Sequence, residues 1–182
     1  MLMNQLIGQL VQRGRQWVAQ QRMAYRDRGQ ELSREAAAEF SRYFAPDLLK
    51  QVRIAIVPAV DNPAFLEEYR SLFTIFRVPL LDFSSMAGIT FVDTILLATG
   101  AVGRDLYPLV FHELVHAVQY DLLGLDKFVE HFINGWVNQG FNYAAIPLEM
   151  DAYELQNRYE SNPDEAFDVQ EEVAQRLELL ED

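Results

Sequence analysis

The residues best suited to chemistry by type and spacing are His112, Glu113 and His116, in the stretch LVFHELVHAVQYDLLG at positions 109 to 124. Two of the only three histidines in 182 residues fall there. On an α-helix, residues four apart project from one face a little more than a turn apart, so both imidazoles can bind one ion. Glu113 is offset to the side of that face, where its carboxylate reaches a water on the metal without being a ligand. This is the HExxH pattern, two histidine ligands and a glutamate general base. Chance produces it in a chain of this length on the order of once in a few hundred sequences. The competing reading makes the histidines ordinary helix residues satisfied by hydrogen bonds. Against it, Val110, Phe111, Leu114, Val115, Val118 and Leu122 make the helix apolar nearly all round, and two histidines stacked in a core are costly without a shared partner.

A catalytic zinc takes three protein ligands and keeps a position for water. The metzincin pattern would place a third histidine and a glycine where this chain has Leu122 and Gln119, which excludes that class. His131, in KFVEHFINGW, is one candidate third ligand, with no accompanying signature. Glu149, in AIPLEMDAYELQ, is the stronger one. It heads a predicted helix on which Glu149, Ala152 and Tyr153 share a face, and the small Ala152 lets that helix pack closely on the HELVH helix. The alternative makes Glu149 a favourable negative charge in a first helical turn. Neutral imidazoles with one carboxylate suit zinc better than magnesium or calcium.

Composition removes other chemistries. There is no cysteine, so disulfides, thiolate zinc sites and cysteine nucleophiles are excluded and any metal must be held by His, Asp or Glu. The net charge of −12 makes the chain a poor binder of nucleic acid, which needs clustered Lys and Arg. Residues 1 to 50 carry eight basic against five acidic side chains, and positions 160 to 182 nine acidic with Arg176 the single base. A basic first helix against an acidic last one is one reading; two separately solvated faces is the favoured one. The opening MLMNQLIGQLVQRGRQW is broken by polar residues and reads as no signal peptide. The longest apolar run, TILLATGAVG, is too short to span a bilayer. The expectation is a soluble, cytoplasmic protein with no stable membrane insertion.

The elements that must position these residues follow from periodicity. Helices are predicted over 3–27 and 31–44, with Pro46 closing that section, then a strand in QVRIAIVP and a helix in NPAFLEEYRSLF. FRVPLLDF and GITFVDTILLAT suggest one or two further strands. The HELVH helix has Asp105 as a cap, Pro108 in its first turn and Gly124 at its end. Helices in DKFVEHFINGWVNQ, IPLEMDAYELQNRYES and DEAFDVQEEVAQRLELL complete the chain. The expectation is one α+β, mostly helical domain over 1–182: an N-terminal helical segment (1–45), a strand-rich part (52–100), the zinc-site helices (104–160) and an acidic C-terminal helix (163–182).

HELVH followed by a glutamate in an E-x-x-A context resembles the gluzincins, the thermolysin-like zinc peptidases. HELVHAVQY…IPLEMDAY is similar to small bacterial minimal-gluzincin-type domains, over roughly residues 89 to 160. The resemblance implies a zincin-like fold, with a small mixed sheet against the active-site helix and the glutamate helix. It also implies an edge strand that binds substrate peptide, where GITFVDTILLAT stands. His112, His116 and Glu149 would hold zinc, Glu113 would activate water, and the substrate would be a peptide or protein. One departure is that thermolysin-like enzymes usually place an aspartate four residues after the ligand glutamate, where it orients a zinc histidine; this chain has Tyr153. Tyr143 and Tyr153 are candidates for stabilising an oxyanion, against plain packing roles. The alternative function is a zinc-binding regulatory or interaction domain that is catalytically silent or latent, its site covered by a terminal helix. A further rival is a helical scaffold without metal.

Overall fold

The computed structural model describes residues 2–101, 106–162 and 164–181. It is mostly helical with one small mixed sheet, the α+β class expected. The helices are α1 (Leu2–Tyr25), α2 (Arg34–Phe40), α3 (Pro46–Gln51), α4 (Phe65–Phe76), α5 (Tyr107–Asn138), α6 (Pro147–Ser161) and α7 (Val169–Glu181), and the strands β1 (Arg53–Val57), β2 (Gly88–Phe91) and β3 (Thr94–Ala98). The strand order is β1-β3-β2, with β1 parallel and β2 antiparallel to β3. Central β3 buries Thr94, Ile95, Leu96 and Leu97 in succession, as a strand covered on both faces must. A single apolar cluster runs from Leu6 on α1 to Leu177 on α7. Among the described residues no helix is long and apolar enough to cross a membrane.

Several boundaries differ from the sequence expectation. Pro46 begins a short helix instead of only ending a section, because proline's fixed φ suits a first helical position. FRVPLLDF forms no strand: Phe76 ends α4, Arg77 takes a left-handed conformation (φ 54°) and a 3-10 turn follows at Phe83–Ser85. Its apolar residues Val78 and Phe83 are buried in the core, which explains their hydrophobicity without strand pairing. GITFVDTILLAT folds as the β2–β3 hairpin, leaving β2 at the sheet edge. Gly124 (φ 71°) kinks α5 where the HELVH helix was expected to end, and the second half continues to Asn138. The expected cap Asp105 lies outside the described residues.

The charge asymmetry resolves differently from either reading. The arginines of α1 and of the turn after it pair with acids of the hairpin and of other helices: Arg22 makes two 2.7 Å hydrogen bonds to Asp93, Arg26, just past α1, lies 2.7 Å from the same carboxylate, and Arg15 reaches Glu130 on α5 at 2.9 Å. Glu172 on α7 meets Arg158 on α6 at 2.8 Å, and Arg176 meets Asp151 and Glu154 on α6 at 3.1 and 2.7 Å. The Asp93 contacts matter for the fold because the two-residue turn Val92–Asp93 holds Val92 at φ 63°, a conformation that disfavours a β-branched residue. Burial opposes ionisation of Asp93, but the hydrogen bonds and charge of Arg22 outweigh it and hold its carboxyl below the ordinary range.

Candidate metal centre

The first half of α5 is buried all round. Val110 through Tyr120 are inside without a break, so the helix is a central strut and its polar residues need partners in the protein. Helix α6 packs against it more extensively than any other element does. The approach is close beside Gly135, where an added Cβ would sit 2.9 Å from Cδ of Pro147, the first residue of α6. Ala152 is fully buried in the same seam. Glu149 is thereby carried in the first turn of α6 to the His112–His116 face.

There the expected residues converge. His112 Nε2 and His116 Nε2 are 3.1 Å apart, and Glu149 places Oε2 3.5 Å from His112 Nε2 and Oε1 3.5 Å from His116 Nε2. Tetrahedral ligands about 2.0–2.2 Å from a zinc ion stand roughly 3.3–3.6 Å from one another, so the two 3.5 Å separations fit one shared ion and the 3.1 Å one is slightly short of it. All three side chains are buried. His112 Nδ1 and Glu149 Oε2 have no hydrogen-bond partner. Glu149 Oε2, left without a hydrogen bond 3.5 Å from His112 Nε2, belongs to a buried group that could hold a cation. His131 lies outside this cluster.

Burial opposes the ionisation of Glu149, yet the imidazoles of His116 and His112 hold its carboxyl well below the ordinary range. Burial also opposes a charge on His116, and the Glu149 carboxylate overrides it, so that the imidazole is pushed up to about 9. The carboxylate thus demands a positive partner, which a proton supplies on His116 when no ion does.

No protein-family model matches the chain, and neither does any curated protein or solved structure. What the centre can do follows from its own residues and distances.

Glu113 stands beside the donor set without joining it. Its Oε2 accepts a 2.7 Å hydrogen bond from the Thr90 hydroxyl on β2, and its backbone carbonyl lies 3.0 Å from the same oxygen. Burial pushes its carboxyl up, against the lowering influence of His112 and His116. Gly88, the first residue of β2, makes room for it: a Cβ there would fall 2.6 Å from Glu113 Oε1. The edge strand therefore runs directly against the prospective base.

The two tyrosines take different places. The Tyr143 hydroxyl donates a 2.6 Å hydrogen bond to Glu149 Oε1. Burial, then the Glu149 charge, push its own pKa up, so it stays a donor. Tyr153 is about half exposed, its ring 4.5 Å from that of His112. It lines an open cleft of about 600 Å³ together with Ser84, Met86, Ala87, Leu109 and His112. The departure at this position has a visible consequence, since His112 Nδ1 has no partner where a thermolysin-like site would supply an aspartate. Asp151 points away and binds Arg176.

Three residues at the site were not singled out in sequence: Thr90, Gly88 and Gln119. Gln119 is fully buried and bonds His116 Nδ1 at 2.8 Å. Its signal was a polar residue at a core position of an otherwise apolar helix; Thr90 and Gly88 left none, because only the fold brings β2 to Glu113.

Proposed function

We propose that the protein is a zinc-dependent metallopeptidase of gluzincin type that cleaves peptide bonds in a peptide or protein substrate, acting in the cytoplasm. The observation that carries this reading is the convergence of two imidazole nitrogens and one carboxylate at mutual distances of 3.1 to 3.5 Å, with a second, hydrogen-bonded carboxylate, that of Glu113, beside them. His112, His116 and Glu149 would hold the zinc. A zinc ion so held supplies Lewis acidity, polarising a carbonyl oxygen and lowering the pKa of water toward neutrality. Glu113 takes the proton of the attacking water and passes it to the leaving amine. Thr90 and Gly88 keep that carboxylate in place at the strand edge. Met86 to Gly88 offer the backbone along which an extended peptide would lie, and Tyr153 faces the cleft where a developing oxyanion would need a donor.

The test is Glu113→Gln, assayed for cleavage of a quenched fluorescent peptide library and for zinc content. Retained zinc with cleavage abolished supports the enzyme. Retained zinc in both proteins, with no cleavage by the wild type, favours the zinc-binding regulatory domain. The open cleft beside His112 argues for the enzyme, because neither terminal helix contributes a residue to its lining.

A further inference from the structure

We propose that Gln119 is the positioning residue of this centre, fixing His116 through its Nδ1–H while being fixed itself on the backbone of the helix that carries Glu149. The proposal rests on the metal reading above and adds to it how two of the three donors are held. A glutamine amide has one end that only donates and one that only accepts. Gln119 Nε2 lies 2.9 Å from the carbonyl oxygen of Leu148, and a carbonyl can only accept, so the donor end is spent there. The acceptor end, Oε1, then faces His116 Nδ1 at 2.8 Å. Nδ1 must carry a hydrogen to meet it. The nitrogen left to offer a lone pair is Nε2, the one that faces His112 Nε2 at 3.1 Å and Glu149 Oε1 at 3.5 Å.

The path has a second consequence. Leu148 is the residue before Glu149, so the chain of contacts runs from the His116 ring through the amide to the backbone beside the third ligand. His116 and Glu149, on different helices, are thereby set relative to one another. His112 has no such support, since its Nδ1 is buried without a partner. Gln119, three residues after His116 on the same helix, gives this histidine the outer support that Tyr153 does not give His112.

Zinc affinity, measured by competition with a chelator, and the absorption spectrum of the cobalt-substituted protein test the assignment. Gln119→Met keeps the length and burial but neither hydrogen bond, and zinc binding is expected to weaken roughly 10- to 100-fold with altered cobalt bands. Gln119→Glu keeps an acceptor for Nδ1–H but loses the donor to the Leu148 carbonyl, and is expected to weaken zinc binding less than Gln119→Met, with cobalt bands closer to the wild type. Wild-type affinity in Gln119→Met, or equal weakening in both variants, overturns the proposal. Should Gln119→Met fail to fold, the zinc-loaded wild type still decides: a ¹H–¹⁵N correlation spectrum must show a proton on Nδ1 of His116, and its absence overturns the assignment. A wild type that binds no zinc overturns the metal reading as well, whereas zinc binding that ignores Gln119 overturns this proposal alone.

Discussion

The centre has two unequal halves. On the α5–α6 seam, His116 Nδ1 meets the Gln119 amide oxygen, and Glu149 Oε1 receives the Tyr143 hydroxyl. On the cleft side, His112 lines the opening with the half-exposed Tyr153, and its buried Nδ1 has no hydrogen-bond partner. Hydrogen bonds are concentrated where ligands must not move, and the side left open is the one a reacting molecule would approach. On the proposed function, the seam half would govern how tightly an ion is held, and the cleft half what happens to a substrate.

That division can be broken by experiment. The largest effect belongs to Glu113→Gln, which is expected to cut peptide cleavage roughly 100- to 10,000-fold while zinc content stays unchanged. Tyr153→Phe on the cleft side is expected to lower kcat about 100-fold and leave chelator-measured zinc affinity untouched; a fall in zinc affinity would erase the distinction. Tyr143→Phe removes the donor to Glu149 Oε1 and should do the reverse, weakening zinc about tenfold. Outside both halves, Asp93→Asn should destabilise the fold by about 1–2 kcal/mol in urea unfolding, discounted because Arg22 is partly exposed. The folded Asp93 carboxyl titrates below its ordinary value, so this contribution is complete above about pH 4 and lost as pH falls through the folded value. The wild type and Asp93→Asn should therefore converge in stability in acid and have equal zinc affinity at neutral pH. His131→Ala, outside the cluster, should change neither zinc binding nor cleavage.

Much of the site was legible because it is written in local spacing. HELVH puts two imidazoles on one helical face in any fold that keeps the helix, and Glu149 was found from its place at the head of a second helix with Ala152 behind it. Gln119 was not legible in the same way. Its meaning depends on the Leu148 carbonyl across the seam, and no periodicity reports which backbone oxygen a buried amide will meet. Thr90 and Gly88 were hidden for a related reason, since strand register decides which residues of β2 face Glu113. The strand expected in FRVPLLDF failed because burial of Val78 and Phe83 beneath an irregular segment imitates the apolar pattern of a strand. Tyr143 was a candidate for stabilising an oxyanion against a plain packing role, and its hydroxyl is instead directed at Glu149 Oε1, a contact that local spacing does not report.

The central claim is that His112, His116 and Glu149 form one metal site. Elemental analysis of the protein purified without a histidine tag, alongside Glu149→Ala, tests it most directly. Stoichiometric zinc is expected in the wild type, and its loss in the variant. No stoichiometric metal in the wild type, or unchanged zinc in Glu149→Ala, would contradict it.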